Sequence, residues 1–439
     1  MDPPPGVPPD NTTPTVYDSK LTEPPQWERS PLYEQRKTTT NQSTFQGDQR
    51  KEIWAAIRTL LLDGTLQKSF DKAFDDIAAD FTRRLGELRF AENALNEEIS
   101  TEVYRWALET IGVMVFGGRL GCLDGPAHLP TDENRPREMT SLDDDIPETC
   151  SLSKRRIEEL TPAERLVRIT LEIANGGFLV RSEDTLNKHS ETFRRALKTF
   201  DDHYSLTEHF LLQAVQSLNT NNLRPEQILV DKLRPLQNRV LPLVADILLA
   251  GVDPLAQTAL GMFYQLSLNA ARQQRAHDEV AWSVASRDAG ASCTDMPFIS
   301  ACAREALRMH PVTGGVLRRS TAEMVVGGYE VPAGVDIVLA HGVSSKDEKQ
   351  WGRAGAYIPE RWCGEGWGPL RASRAHPAAS MPFGEGCPAA GAVSKMLTSL
   401  AVRVLDNYRL EWHGPPPNVA TPDVNRLQPP YYFVLQNAA

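Results

Sequence analysis

Apolar residues recur every three or four positions along most of this chain, as they do in helices buried on one face. Ile53, Trp54, Ile57, Leu60 and Leu61 form one such stripe. Phe70, Phe74, Ile77 and Phe81 form another, within a helix expected over 70–88. A third helix is expected from about Glu98 to Phe116, where Gly117-Gly118 supplies the stop. Helical periodicity resumes over 154–175, 184–218 and 236–286. Val240–Leu260 is apolar on nearly all sides, the pattern of a central helix surrounded by protein. Phe298–Met309 is a further helix closed by Pro311, and Lys395–Tyr408 is the last.

Elsewhere the helical period is lost. Met324–Leu339 reads as two short strands around a Gly/Pro turn, and Pro430–Gln436 as a final strand. Residues 124–150, rich in Pro, Asp and Glu, form a long loop, and 345–382 are irregular. Residues 1–45 hold many Pro, Thr, Gln and Asn and read as an extended or disordered lead-in. With no internal repeat, the expected protein is mainly α with a small β portion: a lead-in over 1–45 and a single domain over 46–439.

Composition narrows the function classes. A net charge of −10 argues against a nucleic-acid partner, which needs a basic face. Six cysteines without a CxxC pair give neither zinc-ribbon spacing nor a disulfide scaffold, so they read as reduced thiols. No run of about 18 apolar residues is present. The first twenty residues carry neither a signal-peptide core nor an Arg-rich transit helix.

The candidate chemistry lies in an ordered set of short motifs. Glu305 and Arg308 sit at i and i+3 in Arg-Glu-Ala-Leu-Arg-Met-His-Pro311. Alone, such a pair is an ordinary helix-surface contact. Here it precedes Arg318, a Gly-Gly-Tyr-Glu-Val-Pro-Ala-Gly-Val hairpin, Tyr357-Ile-Pro-Glu-Arg361-Trp362 and Pro382-Phe383-Gly384-Glu385-Gly386-Cys387. That order and spacing resembles the C-terminal half of the cytochromes P450. Trp54 and Arg58 resemble the family's WxxxR pattern. Val103–Gly112, followed by Arg119-Leu-Gly-Cys-Leu123, resembles a helix of the animal mitochondrial-type branch. Ala250-Gly-Val-Asp253 resembles the oxygen-activating turn of the long central helix.

The resemblance implies a P450-like fold with a long central helix over a haem pocket, and haem (iron protoporphyrin IX) as cofactor. Cys387 would supply the thiolate that binds iron, a soft ligand that favours O–O cleavage. Trp54, Arg58 and Arg318 would hold the haem propionates, and Phe383 would stand in the ligand loop. Glu305, Arg308 and Arg361 would form a buried structural network, with Asp253 and Thr258 on the oxygen side. The implied activity is monooxygenation of a hydrophobic, sterol-like or other lipid substrate with electrons from a ferredoxin-type partner. The branch implies the matrix side of the mitochondrial inner membrane and allows peripheral membrane contact.

Three departures qualify that picture. The turn before Cys387 is three residues shorter than the family's and lacks its propionate-binding arginine, while Pro388 and Ala389 follow the cysteine. Pro254 stands where the family has an oxygen-binding threonine; Thr258 lies one helical turn on. Paired docking arginines give way to Ala390–Lys395, leaving Arg304 as the basic candidate. Two alternatives therefore stay open. One is a haem enzyme that rearranges lipid hydroperoxides without activating oxygen. The other is a catalytically impaired lipid-binding relative, or a chain altered by a faulty gene model.

Overall fold

The computed structural model describes residues 21–22, 55 and 57–438, apart from 90–92, 96–97, 126–158, 177, 179–186, 220, 286–295, 365–367, 385–386 and 421–424. Trp54, nearly all of the expected lead-in and most of the 124–150 loop lie outside them. Leu21–Thr22 (β1) is a strand. The stripe expected as one helix from Phe70 meets a preceding turn: α1 is Gly64–Ser69 and α2 is Asp71–Glu87, joined at Phe70. Asp63 starts α1 by accepting the Thr65 and Leu66 N–H groups at 2.9 and 3.4 Å. α3 is Glu98–Phe116. α4, Pro162–Asn175, opens with a Thr161/Glu164 capping box and proline at its first turn. α5, Glu191–Gln216, is capped by Ser190, and α6 is Ile228–Leu233.

The helical pattern over 236–286 is two helices, α7 (Val240–Leu268) and α8 (Ala270–Ala285). Asn269 breaks it at φ −122, ψ 70, and its side-chain amide donates to the Gln265 carbonyl at 2.7 Å. An asparagine that bonds its own backbone ends a helix without interrupting the apolar stripe, so periodicity could not reveal the break. α9 is Pro297–Met309.

The β portion is larger than the sequence suggested. β2 (Val316–Ser320) pairs antiparallel with both β1 and β5 (Asp336–Leu339). Between them, β3 (Met324–Val326) and β4 (Tyr329–Val331) form a separate hairpin. A short α10, His341–Ser344, follows. The last helix, α11, is Ala390–Asn407, beginning at Ala390 rather than Lys395. It runs directly into β6 (Tyr408–Trp412), which pairs with β9 (Phe433–Asn437). β7 (Val419–Ala420) and β8 (Arg426–Leu427) make a last hairpin.

The core gathers α2, α3, α7, α9 and α11 into one apolar cluster, with α7 at its centre. By length and hydropathy α7 could cross a membrane, yet Asp253, Gln257, Thr258 and Gln265 are buried along it against protein. Its neighbour α3 comes close because position 251 is glycine: a Cβ there would sit 2.9 Å from Ile111 Cδ1. Pro254 lies inside α7 and removes the N–H that the Ala250 carbonyl would accept, but the helix continues through it. The Arg119–Leu123 segment is held by Glu109, a fully buried carboxylate. It accepts backbone N–H groups from Leu120, Gly121 and Cys122 and the Arg119 guanidinium at 2.6–3.3 Å.

Candidate functional site

The structure brings Glu305, Arg308 and Arg361 together in a wholly buried network. Arg308 grips Glu305 with two parallel bonds of 3.0 and 2.8 Å. Arg361 Nε adds a third at 3.1 Å. The Ile358 N–H and the Trp362 indole complete the carboxylate at 3.0 and 2.9 Å. Other guanidinium protons go to carbonyls: Ser345, Ala354 and Ala356 for Arg308, and Arg353 and Leu370 for Arg361. Planar, multiply donating arginines suit this role, because each buried charge is fully partnered. The network ties α9 to the irregular chain after α10. Trp362 was not foreseen as a member, since an indole N–H has no sequence signature.

That irregular chain leads to Cys387. The turn starts at Gly384, whose φ of +57 favours glycine, and whose N–H reaches the Met381 carbonyl at 2.9 Å. The Cys387 N–H donates to the Phe383 carbonyl at 3.1 Å, and Ala390, the first residue of α11, donates to the Cys387 carbonyl at 3.2 Å. Cys387 thus sits exposed at the positive end of an 18-residue helix. Burial of the sulfur pushes its pKa up, and the Ala389 N–H pulls it down. Pro388, which has no N–H, is buried beside it. Cys122, Cys302 and Cys363 are free thiols as well, the first two buried.

These residues fit an iron porphyrin. An amide proton aimed at the sulfur stabilises a thiolate, the form that binds iron. Among the described residues no group of three His, Cys, Asp or Glu could hold a metal ion. Arg318, on β2, lies half-buried, with Nη1 donating to the Leu317 carbonyl at 2.8 Å. Arg58 is exposed, and Phe383 is half-buried in the turn.

Asp253 and Thr258 lie on one stretch of α7 but do not act together. Tyr104 of α3 donates a short hydrogen bond to Asp253. Arg426 of β8 reaches the same carboxylate with Nη2 at 2.6 Å and Nε at 3.3 Å. Gln257 joins this buried cluster: its amide donates to Tyr104 Oη at 3.2 Å, and its carbonyl accepts the Leu427 N–H at 3.0 Å. Burial and the Asp253 charge push the Tyr104 pKa well above its usual range. Thr258 Oγ1 is turned back on its own helix, donating to the Pro254 carbonyl at 2.7 Å. Tyr104, Arg426 and Gln257 escaped sequence reading because they come from three elements far apart in the chain.

Two histidines complete the surroundings, His310 half-buried and His341 buried. The Gln265 amide contacts His310 Nε2 at 2.7 Å, and burial lowers the His310 pKa to about 4. The unfolded chain then binds a proton that the folded chain refuses between about pH 6.5 and about pH 4. Stability is expected to be full above the upper value, fall as pH drops through this window, and level off below it. Urea titrations across the window should show that slope, reduced in His310→Gln. The other, His341, is 3% exposed, and neither ring nitrogen has a hydrogen-bond partner. Arg304 is exposed and lays its guanidinium over the Trp362 ring at 4.5 Å.

The chain is similar to known proteins over most of its length. The family model described as Cytochrome P450 matches residues 20–435. "Probable cytochrome P450 12b2, mitochondrial" of Drosophila melanogaster is 25% identical over 77% of this chain and 60% of its own length. "Cytochrome P450 CYP12A2" of Musca domestica is 24% identical over 84% of this chain and 68% of its own. "25-hydroxyvitamin D-1 alpha hydroxylase, mitochondrial" of Rattus norvegicus is 25% identical over 78% of this chain and 65% of its own. The chain therefore spans about 60% of the length of the first of these relatives.

Proposed function

Since the chain belongs to the cytochrome P450 family, whose members bind haem, we propose that it is a haem-thiolate monooxygenase with Cys387 as the iron ligand. The observation that carries this is Cys387 itself, whose N–H closes the Phe383–Gly384 turn and whose carbonyl accepts the first N–H of α11. When bound, haem would supply oxygen chemistry at an iron whose thiolate ligand favours O–O cleavage. One oxygen atom would enter a substrate C–H bond and the other would leave as water, with two electrons and two protons from outside. Arg318, Arg58 and Trp54 would hold the propionates, and Glu305, Arg308 and Arg361 would keep the chain behind the haem in place.

The substrate is proposed to be a sterol-like or similar lipid. The similarity to a mitochondrial 25-hydroxyvitamin D hydroxylase supports this. The mitochondrial relatives support electron delivery by a ferredoxin-type protein and a place on the matrix side of the inner membrane. Arg304 is the exposed cation offered to that partner.

One observation favours a second reading. The carboxylate of Asp253 is committed to Tyr104 and Arg426, and the Thr258 hydroxyl to the Pro254 carbonyl. No hydroxyl is held at position 254, and a lipid hydroperoxide needs none, because it brings both oxygen atoms already bonded. The two readings separate in one assay. With ferredoxin, its reductase and NADPH, sterol oxidation supports the monooxygenase; turnover of a lipid hydroperoxide without any electron donor, and none with it on sterols, supports the rearranging enzyme. A chain inactive in both assays contradicts both.

A further inference from the structure

The sheet beside the Cys387 turn has two distinct faces. Arg318 pairs with Ile337 and Val316 with Leu339 across β2 and β5, and residues directly opposite share a face. On β5 the burial alternates: Ile337 and Leu339 are half-buried, while Asp336, Val338 and Ala340 are exposed. The outer face is marked by the Arg319–Asp336 ion pair at 2.6 Å. Arg318, Val316, Ile337 and Leu339 therefore share the inner face. That face looks at the ligand turn, since Val316 Cγ2 lies 3.7 Å from where a Cβ on Gly384 would be.

His341 follows β5 by two residues as the first residue of α10, and it is buried. The Gly342 N–H donates to the Gly314 carbonyl at 2.9 Å, so the chain after β5 stays beside the chain before β2. Gly314 leaves room there: a Cβ on it would meet nothing within 4 Å. An imidazole this buried with both nitrogens unpartnered is an unmet demand for a polar ligand. The Cys387 turn, meanwhile, is the one that lacks the family's propionate-binding arginine.

We propose that His341 donates a hydrogen bond to a haem carboxylate, beside Arg318, in place of the arginine missing from the Cys387 turn. The assignment rests on the haem-protein reading above. Burial keeps the imidazole neutral, with one N–H to give. An acceptor that already carries charge makes that bond a strong one.

The test is the rate at which haem leaves the loaded protein for excess apomyoglobin, followed by visible absorbance. His341→Phe keeps the ring's shape without a donor and is expected to release haem about tenfold faster than the native chain. His341→Gln keeps an N–H and should stay within about twofold of native. With iron protoporphyrin dimethyl ester, whose carboxylates carry no charge, native chain and His341→Phe should release at the same rate. Before loading, His341→Phe should melt no lower than the native chain, since it removes an unpartnered buried group. Equal release of ordinary haem by the native chain and His341→Phe overturns the assignment, as does an unchanged difference with the ester, which would mean packing alone. A native chain that takes up no haem overturns both this assignment and the reading beneath it.

Discussion

Glu305→Ala is expected to cost the folded chain about 3–5 kcal/mol, because it strands two buried guanidinium groups. Five hydrogen bonds converge on that carboxylate, from Arg308, Arg361, Trp362 and the Ile358 backbone. Removing it leaves Arg308 and Arg361 charged, fully buried and without their anion. Their carbonyl partners at Ser345, Ala354 and Arg353 remain, but carbonyls do not neutralise a cation. The chain from α10 to Cys387 is anchored mainly here, so its loosening should abolish haem retention before the helices melt. Far-UV circular dichroism during urea titration reads the stability, and haem stoichiometry after purification reads the loosening. Arg308→Lys should fail nearly as badly, since an ammonium cannot grip both carboxylate oxygens while reaching three carbonyls. A Glu305→Ala protein with the native midpoint and full haem content would show that the network anchors nothing.

The second large effect is expected at the other buried ion pair. Arg426→Met should cost about 3–5 kcal/mol by leaving Asp253 charged in the middle of α7. Among the described residues, only the Tyr104 hydroxyl would then face it directly. Asp253→Leu alone removes the carboxylate that Arg426 grips with two nitrogens. The double variant should recover most of the loss, because two apolar side chains of similar size replace a pair that paid for its own desolvation. The pair also bolts the β7–β8 hairpin to α7, with Gln257 and the Leu427 N–H as the second bolt. Losses in the double variant that equal the sum of the single losses would show that the two groups do not act on each other.

Much of this was legible in the sequence, for identifiable reasons. Helices α2, α3, α4, α5 and α9 follow from their apolar stripes, while the caps at Thr161 and Ser190 set starts that periodicity did not mark. The Glu305–Arg308 pair was visible because both residues lie on one turn of one helix, and Arg361 because its motif is short. Asn269 was invisible, since its effect is a side chain bonding its own backbone. β2 and β6 were missed because each is a short, half-buried strand abutting other elements, where alternation has too few residues to register. Asp253 was read from its place in a turn motif, whereas its partners Tyr104 and Arg426 are 149 and 173 residues away in the chain. Its commitment to them is a tertiary fact, as is the isolation of His341. The departures at Pro254 and in the Cys387 turn were plain in the sequence; what the structure adds is how the neighbouring side chains settle around them.

As the proposed iron ligand, Cys387 would bind haem as a thiolate. The most direct measurement is the difference spectrum of the purified chain, reduced and treated with carbon monoxide. The native protein should show the red-shifted Soret band of a thiolate-ligated haem, and Cys387→Ser should lose that band while keeping the native far-UV spectrum. A native chain that binds no haem, or a Cys387→Ser protein with an unchanged thiolate band, would contradict the account.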